Sequence, residues 1–168
     1  MSTSSLLTSL YKFKAWSNED LFTTLQQLNA TDHADELHSA LRILNHIHVV
    51  DKIFRANLQG IAHHFEATNT PETPTLNDLH AAVRETDNWY VTYVGGLDQS
   101  ALSQSIHFTF TDQGGGQMTR EEMLAHVVTH GGYHRGAVGR ILAQLSIKPP
   151  RDIYTKFLHD TEPTRRQS

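Results

Sequence analysis

Apolar side chains recur at steps of three and four residues in four long stretches of the chain, a spacing that gathers them on one face of an α-helix. These stretches are residues 6–28, 37–61, 75–97 and 119–145. The fourth shows the strictest alternation, and it is followed by Pro149 and Pro150, which cannot continue a helix. The pattern predicts four helices, each with one apolar stripe to bury against its neighbours.

Local signals mark where two of these helices begin. Thr75 with Asp78, and Thr119 with Glu122, have the spacing of a capping box, in which side chains satisfy the free backbone N–H groups of the first turn. Residues 63–74 carry two prolines and several polar side chains, which indicates a connection without regular structure.

Shorter elements follow the third helix. Ile106, Phe108 and Phe110 alternate with polar residues, which predicts a short extended segment, and the glycines at 114–116 predict a turn. Residues 153–159 could form one more short helix. The predicted fold is all-α: an antiparallel four-helix bundle with a short extended segment before helix four and a short C-terminal helix. We expect one domain over residues 1–160 and a polar tail over 161–168.

Composition narrows the class of protein. With 38% hydrophobic and 19% charged residues and no long apolar run, the sequence indicates no membrane-spanning segment. The net charge of -4 argues against a nucleic-acid partner. The opening MSTSSLL lacks the features of a signal peptide, so a cytoplasmic protein is expected. The absence of cysteine excludes disulfides, cysteine thiolates as metal ligands and a thiol nucleophile supplied by the protein itself.

Twelve histidines are many for 168 residues, and imidazole is a common metal ligand. On the apolar face of the fourth helix, Gly131 and His134 occupy positions where large apolar groups are expected. His130 lies one turn before His134, so the two rings lie on nearly the same face and could chelate a divalent ion. Packed or solvated imidazoles explain this pair equally well. His126, one turn earlier, drifts off that face and is expected to flank the site.

A third ligand would come from a facing helix, and the second helix offers two histidines. His46 shares its face with apolar residues such as Ile43 and Val50, whereas His48 shares its face partly with the charged Asp51 and Lys52. Helical periodicity favours His46, by a modest margin.

Three segments resemble the DinB-like (DinB/YfiT) family of metal-binding helical bundles. These are YKFKAWSNEDL at 11–21, LNHIHVVDKIF at 44–54 and HVVTHGGYHRGAV at 126–138. The resemblance implies that His46, His130 and His134 are the ligands of one divalent metal ion. Zinc, nickel, copper and iron all accept imidazole, and zinc or nickel is expected. The resemblance also implies a homodimer. Thr129 and Tyr133 stand where family members commonly have Asn and His, so roles carried by those groups in the family do not transfer to this chain.

Three histidine ligands leave a coordination position open, as in catalytic metal sites. The resemblance extends to thiol-dependent transferases and a maleylpyruvate isomerase, so we expect an enzyme that joins a low-molecular-weight thiol to a small electrophile. The alternatives are a non-catalytic metal-binding or stress-response protein and a metal-dependent hydrolase. No residue is assigned a catalytic role: Asp51 and Arg135 are expected to form ion pairs or to lie on solvated helix faces.

Overall fold

The computed structural model describes residues 3–166, and in that range it is predominantly helical, as the sequence predicts. Four helices are long. Their bounds are α1 Thr3–Gln26, α2 Ala34–Gln59, α3 Leu76–Gly95 and α5 Arg120–Gln144, with the single turn α4 (Gln99–Leu102) between the last two. Both predicted capping sequences operate: the Thr75 hydroxyl accepts from the backbone N–H of Asp78, and Thr119 and Glu122 form a complete capping box.

Each long helix packs against two of the other three: α1 against α3 and α5, and α2 against α5 and α3. The buried apolar residues form two clusters. One contains Tyr11, Phe54, Tyr90 and Val127, and the other contains Leu21, Ile47, Val83 and Val138. The order of the two clusters along the chain shows that α1 and α5 run in one direction and α2 and α3 in the other. The predicted antiparallel arrangement is therefore found for α1 with α3 and for α2 with α5. It is wrong for α2 with α3 and for α1 with α5, which run parallel.

A parallel contact between consecutive helices requires a connection that returns along the whole bundle. Residues 60–75, here called the crossover segment, join α2 to α3. Helix α2, with 26 residues, is about 39 Å long. The crossover segment, fully extended, would reach roughly 50 Å, so it can span the length of the helix. The crossover segment lies along α2, and its Thr70 carbonyl accepts a hydrogen bond from Arg42 near the N-terminal end of that helix.

The extended segment predicted before the last long helix is one strand of a hairpin. β1 (Ser105–Thr109) pairs antiparallel with β2 (Gly115–Thr119), and Phe108 lies opposite Gly116. The glycine stretch was expected to be only a turn, and for Gly115 and Gly116 that prediction is wrong. A Cβ at Gly116 would lie 2.6 Å from the Phe108 ring, so glycine lets the aromatic ring lie across the second strand.

The chain ends in α6 (Tyr154–Thr161) and a 3-10 turn, Pro163–Arg165. Phe157 of α6 packs near the rings of Phe13 and Trp16 on α1. The predicted short C-terminal helix is confirmed, and part of the expected polar tail is ordered as the 3-10 turn. The last two residues of that tail, 167–168, lie outside the described range.

A layer of buried polar groups separates the two apolar clusters. The ammonium group of Lys14 in α1 lies 2.7 Å from an Asp51 oxygen of α2 and 2.6 Å from an Asp87 oxygen of α3. Asn18 donates to the second Asp87 oxygen. Burial by itself would lower the pKa of Lys14, but the two carboxylates raise it above its ordinary value, so the ammonium group stays charged. We call Lys14, Asn18, Asp51 and Asp87 the buried polar layer.

Replacing Lys14 by Met should therefore destabilise the fold severely. The variant leaves Asp51 and Asp87 buried without a cation, which costs about 3–5 kcal/mol of unfolding free energy. Lys12→Met on the exposed side of α1 is the matched control and should change stability by less than about 0.5 kcal/mol. Urea denaturation measures both variants.

The loss in Lys14→Met should also shrink as the pH is lowered from about 8 to about 5, because buried carboxylates without a cation have raised pKa values and take up protons. A loss below about 1 kcal/mol at neutral pH would show that Lys14 does not stabilise this layer.

Candidate metal centre

The antiparallel contact between α2 and α5 brings three of the predicted residues together. His46 extends from α2, and His130 and His134 extend from successive turns of α5. One ring nitrogen from each residue lies within 4.8 Å of the other two. The ring centroids are 4.5 to 4.9 Å apart, and all three side chains are half-buried. The three imidazoles are therefore close enough to share one ion.

The donor atoms suit a small divalent cation. His46 Nε2 and His130 Nε2 are 3.1 Å apart. Two nitrogens that bind one zinc ion tetrahedrally, each at roughly 2.0–2.1 Å, lie about 3.4 Å apart, so a small adjustment admits the ion. The other nitrogen of His46, Nδ1, lies 2.7 Å from the carbonyl oxygen of Thr68. Because a carbonyl can only accept, Nδ1 carries the proton, and Nε2 of the neutral ring presents its lone pair to the site.

The surroundings of His130 and His134 favour the neutral imidazole, which is the form that binds metal. Burial, followed by the proximity of His134 and His46, lowers the pKa of His130 to about 3. Burial is also the main cause that lowers the pKa of His134, and His46 adds to it. Protons therefore compete weakly for these two imidazoles at neutral pH.

The neighbours of the triad differ in part from what the sequence indicates. His126 flanks the site as expected, and its ring stacks between Phe54 at 4.7 Å and His130 at 5.4 Å. Its contact with His130 is a ring stack. Tyr133 is 80% exposed with its ring edge against His134, and the Thr129 hydroxyl donates to backbone carbonyls of its own helix.

Gly131, the gap in the apolar face of α5, has a physical explanation. A Cβ there would lie 3.1 Å from a guanidinium nitrogen of Arg135 and 3.6 Å from the Lys14 side chain. The missing side chain thus makes room for two buried cationic residues beside the turn that carries His130 and His134. The sequence shows the gap but not its occupants, because Lys14 comes from the opposite end of the chain.

Asp51 and Arg135 form ion pairs, as expected, and both are buried. Asp51 binds Lys14, and Arg135 binds Asp152 at 2.7 Å. Burial raises the pKa of Asp51 to about 6 despite the opposing effect of Lys14. His48, on the partly charged face of α2, is nevertheless buried: it is 8% exposed, and burial lowers its pKa to about 4. Asp51, on the face of His48, did not indicate an exposed face, because its carboxylate is paired with Lys14 inside the bundle.

The remaining histidines form no second metal cluster within residues 3–166. Three of them nevertheless share one cavity of about 660 Å³ between the crossover segment and the hairpin, namely His63, His64 and His107. His107 is far from His63 and His64 in the sequence, so the sequence does not indicate that the three line one cavity. The role of the crossover segment was also missed, because nothing in a polar, proline-containing stretch indicates that the Thr68 carbonyl binds His46.

Two comparisons with known proteins agree with these observations. The family model described as "DinB family" matches residues 1–166. Protein DinB of Bacillus subtilis (strain 168) is 25% identical over 166 residues, which covers 91% of this chain and 94% of the relative. No solved structure matches the chain significantly. Because the family model covers nearly the whole sequence, the chain belongs to the DinB family.

Proposed function

We propose that this protein binds one divalent metal ion through His46, His130 and His134 and uses it to join a low-molecular-weight thiol to a small electrophile. The observation that supports this proposal most strongly is the convergence of three ring nitrogens within 4.8 Å, on side chains that remain partly accessible. A closed structural site would be expected to supply a fourth protein ligand, whereas three ligands leave a position for a small molecule.

The neutral charge of the three imidazole ligands favours a catalytic metal ion over a non-catalytic one. All three ligands are neutral imidazoles, and no carboxylate joins the group among the described residues. The full charge of the ion is therefore available to lower the pKa of a thiol or a water molecule in the open position. Imidazole ligands suit zinc and nickel, the two ions that we propose.

The residues of the chain prepare the site rather than react. His46 is held by the Thr68 carbonyl with Nε2 directed at the site, and burial keeps His130 neutral. Tyr133 stands exposed at the rim beside His134, where a bound small molecule would meet it. In an addition reaction the S–H bond breaks, a carbon–sulfur bond forms, and the proton ends on the neighbouring carbon of the electrophile. No oxidant or reductant is required.

Similarity also supports this function, because the DinB-like bundles resemble thiol-dependent transferases. We propose, on the same basis, a homodimer located in the cytoplasm. Within residues 3–166 no helix is both long and apolar enough to cross a membrane.

A non-catalytic role is the second candidate, and one observation favours it. The triad joins α2 to α5, so a bound ion would cross-link two helices and stabilise the fold by mass action. Nδ1 of His130 is buried without a hydrogen-bond partner in the described part of the chain, which the attraction of an ion at Nε2 would help to offset.

Replacing His134 by Ala should abolish stoichiometric metal binding. The variant removes one of three ligands at a half-exposed position of α5, so the helical circular-dichroism spectrum should be retained. Elemental analysis after dialysis should fall from about one ion per chain to nearly none. His38→Ala, at an exposed position of α2, is the matched control and should keep its metal. Undiminished metal in His134→Ala would remove this residue from the ligand set.

Thiol transfer should depend on the metal. Metal-loaded protein is mixed with a low-molecular-weight thiol and an activated aryl halide. In this substitution a carbon–sulfur bond replaces the carbon–halogen bond, halide and the thiol proton are released to solvent, and thioether formation is followed by absorbance. We expect a rate above the uncatalysed reaction that disappears on chelation and returns with zinc or nickel, because the thiolate is the reactive form of a thiol.

Two other results would favour the competing functions. Turnover of an activated ester without any thiol would indicate a hydrolase that uses water. No turnover with any thiol and electrophile, together with a large fall in Tm on chelation, would indicate a metal that only stabilises the bundle.

A further inference from the structure

The hydrogen bond that orients His46 comes from an exposed part of the crossover segment. Thr68 lies in the crossover segment, and Ala67 and Thr68 are both exposed. Exposed segments that bury few apolar contacts open locally at low free-energy cost. The 2.7 Å contact between His46 Nδ1 and the Thr68 carbonyl therefore needs a second support if it is to keep one geometry.

That support is the side-chain amide of Asn69, the residue directly after Thr68. Its Oδ1 accepts from Asn45 Nδ2 at 2.6 Å and from the backbone N–H of Thr70 at 3.0 Å. Its Nδ2 donates to the Arg42 carbonyl at 2.9 Å. Both ends of the amide are thus bonded, and each end has a partner in the turn of α2 that precedes His46.

Asn45 completes the arrangement from the helix. It is 4% exposed, and its Nδ2 also donates to the Thr70 hydroxyl at 2.6 Å. Arg42 reaches the Thr70 carbonyl at 2.6 Å. The crossover segment is therefore fixed to α2 immediately after Thr68, and the direction of the Thr68 carbonyl is set by groups that do not themselves touch the candidate metal centre.

We infer that Asn69, held by Asn45, is a positioning residue of the metal centre: it fixes the Thr68 carbonyl, which keeps the proton of His46 on Nδ1 and its Nε2 directed at His130. The inference rests on the proposed metal site for its functional meaning. Partners that hydrogen-bond to the second nitrogen of a histidine ligand set its tautomer and ring orientation, and their loss typically weakens metal binding roughly 10–100-fold.

Asn69→Ala tests this role, and Asn77→Ala, at an exposed position of α3, is the matched control. The first readout is the Zn²⁺ dissociation constant, measured in competition with a chromophoric chelator. The second is the ¹⁵N chemical shifts of the His46 ring in the metal-free protein, which distinguish the Nδ1–H and Nε2–H tautomers. A merely structural role of Asn69 would not change the tautomer.

We expect Asn69→Ala to weaken Zn²⁺ binding by about 10-fold or more and to convert His46 from a single Nδ1–H tautomer to a mixture. Asn77→Ala should match the parent protein in both measurements. Asn45→Ala removes the support from the α2 side and should reproduce both effects, so an unfolded Asn69 variant would still leave the inference open to test. Thermal unfolding of the metal-free variants establishes that they are folded.

Unchanged affinity and an unchanged tautomer in folded Asn69→Ala would overturn the inference. A parent protein that binds no metal would instead contradict the proposed function, and the tautomer measurement would still decide whether Asn69 positions His46. An altered tautomer with unaltered affinity would also count against the inference, because the orientation would then have no consequence for metal binding.

Discussion

The ammonium group of Lys14 is the interaction on which the packing of the long helices depends. Lys14 belongs to α1, and its ammonium group binds carboxylates from α2 and α3. The aliphatic part of the side chain lies beside Gly131 of α5. A single side chain therefore touches all four long helices. Charges in a protein interior are tolerated only where they are paired, so moving any of these helices away from Lys14 leaves a buried charge without a partner. Apolar contacts alone, which are not directional, would allow the helices to slide or rotate more freely.

This constraint reaches the candidate metal centre through α5. Gly131 lies between His130 and His134 in sequence and faces Lys14, so the same turn of α5 that accommodates the buried cation presents its two histidines to α2. On α2, Asp51 binds Lys14 while His46, more than one turn earlier, meets the histidines of α5. The contacts of Lys14 with Asp51 and Gly131 thereby fix the rotation of α2 relative to α5. The same rotation brings the three histidines of the candidate metal centre together. A rigid framework of this kind is what a site with three ligands requires, because misplacing one ligand weakens all the bonds to the ion.

The parallel directions of α2 and α3 explain why the crossover segment contributes to the candidate metal centre. Since α2 and α3 run parallel, the crossover segment must return along α2, and it passes His46 on the way. A short hairpin-like connection would not bring a backbone carbonyl to this point. The return path thus serves two purposes: it allows the parallel contact, and it supplies the hydrogen bond that orients His46.

Much of this architecture follows from the sequence, because helix formation depends on residues within about four positions of each other. The periodic apolar positions, both capping sequences and the shared face of His130 and His134 are all of this local kind. Tertiary structure alone decided that Lys14 and Asp51 are buried, that Gly115 and Gly116 form a strand, and that the Thr68 carbonyl binds His46. Each of these depends on which distant residue lies opposite, since burial of a charge or pairing of a strand is favourable only when its partner is in place.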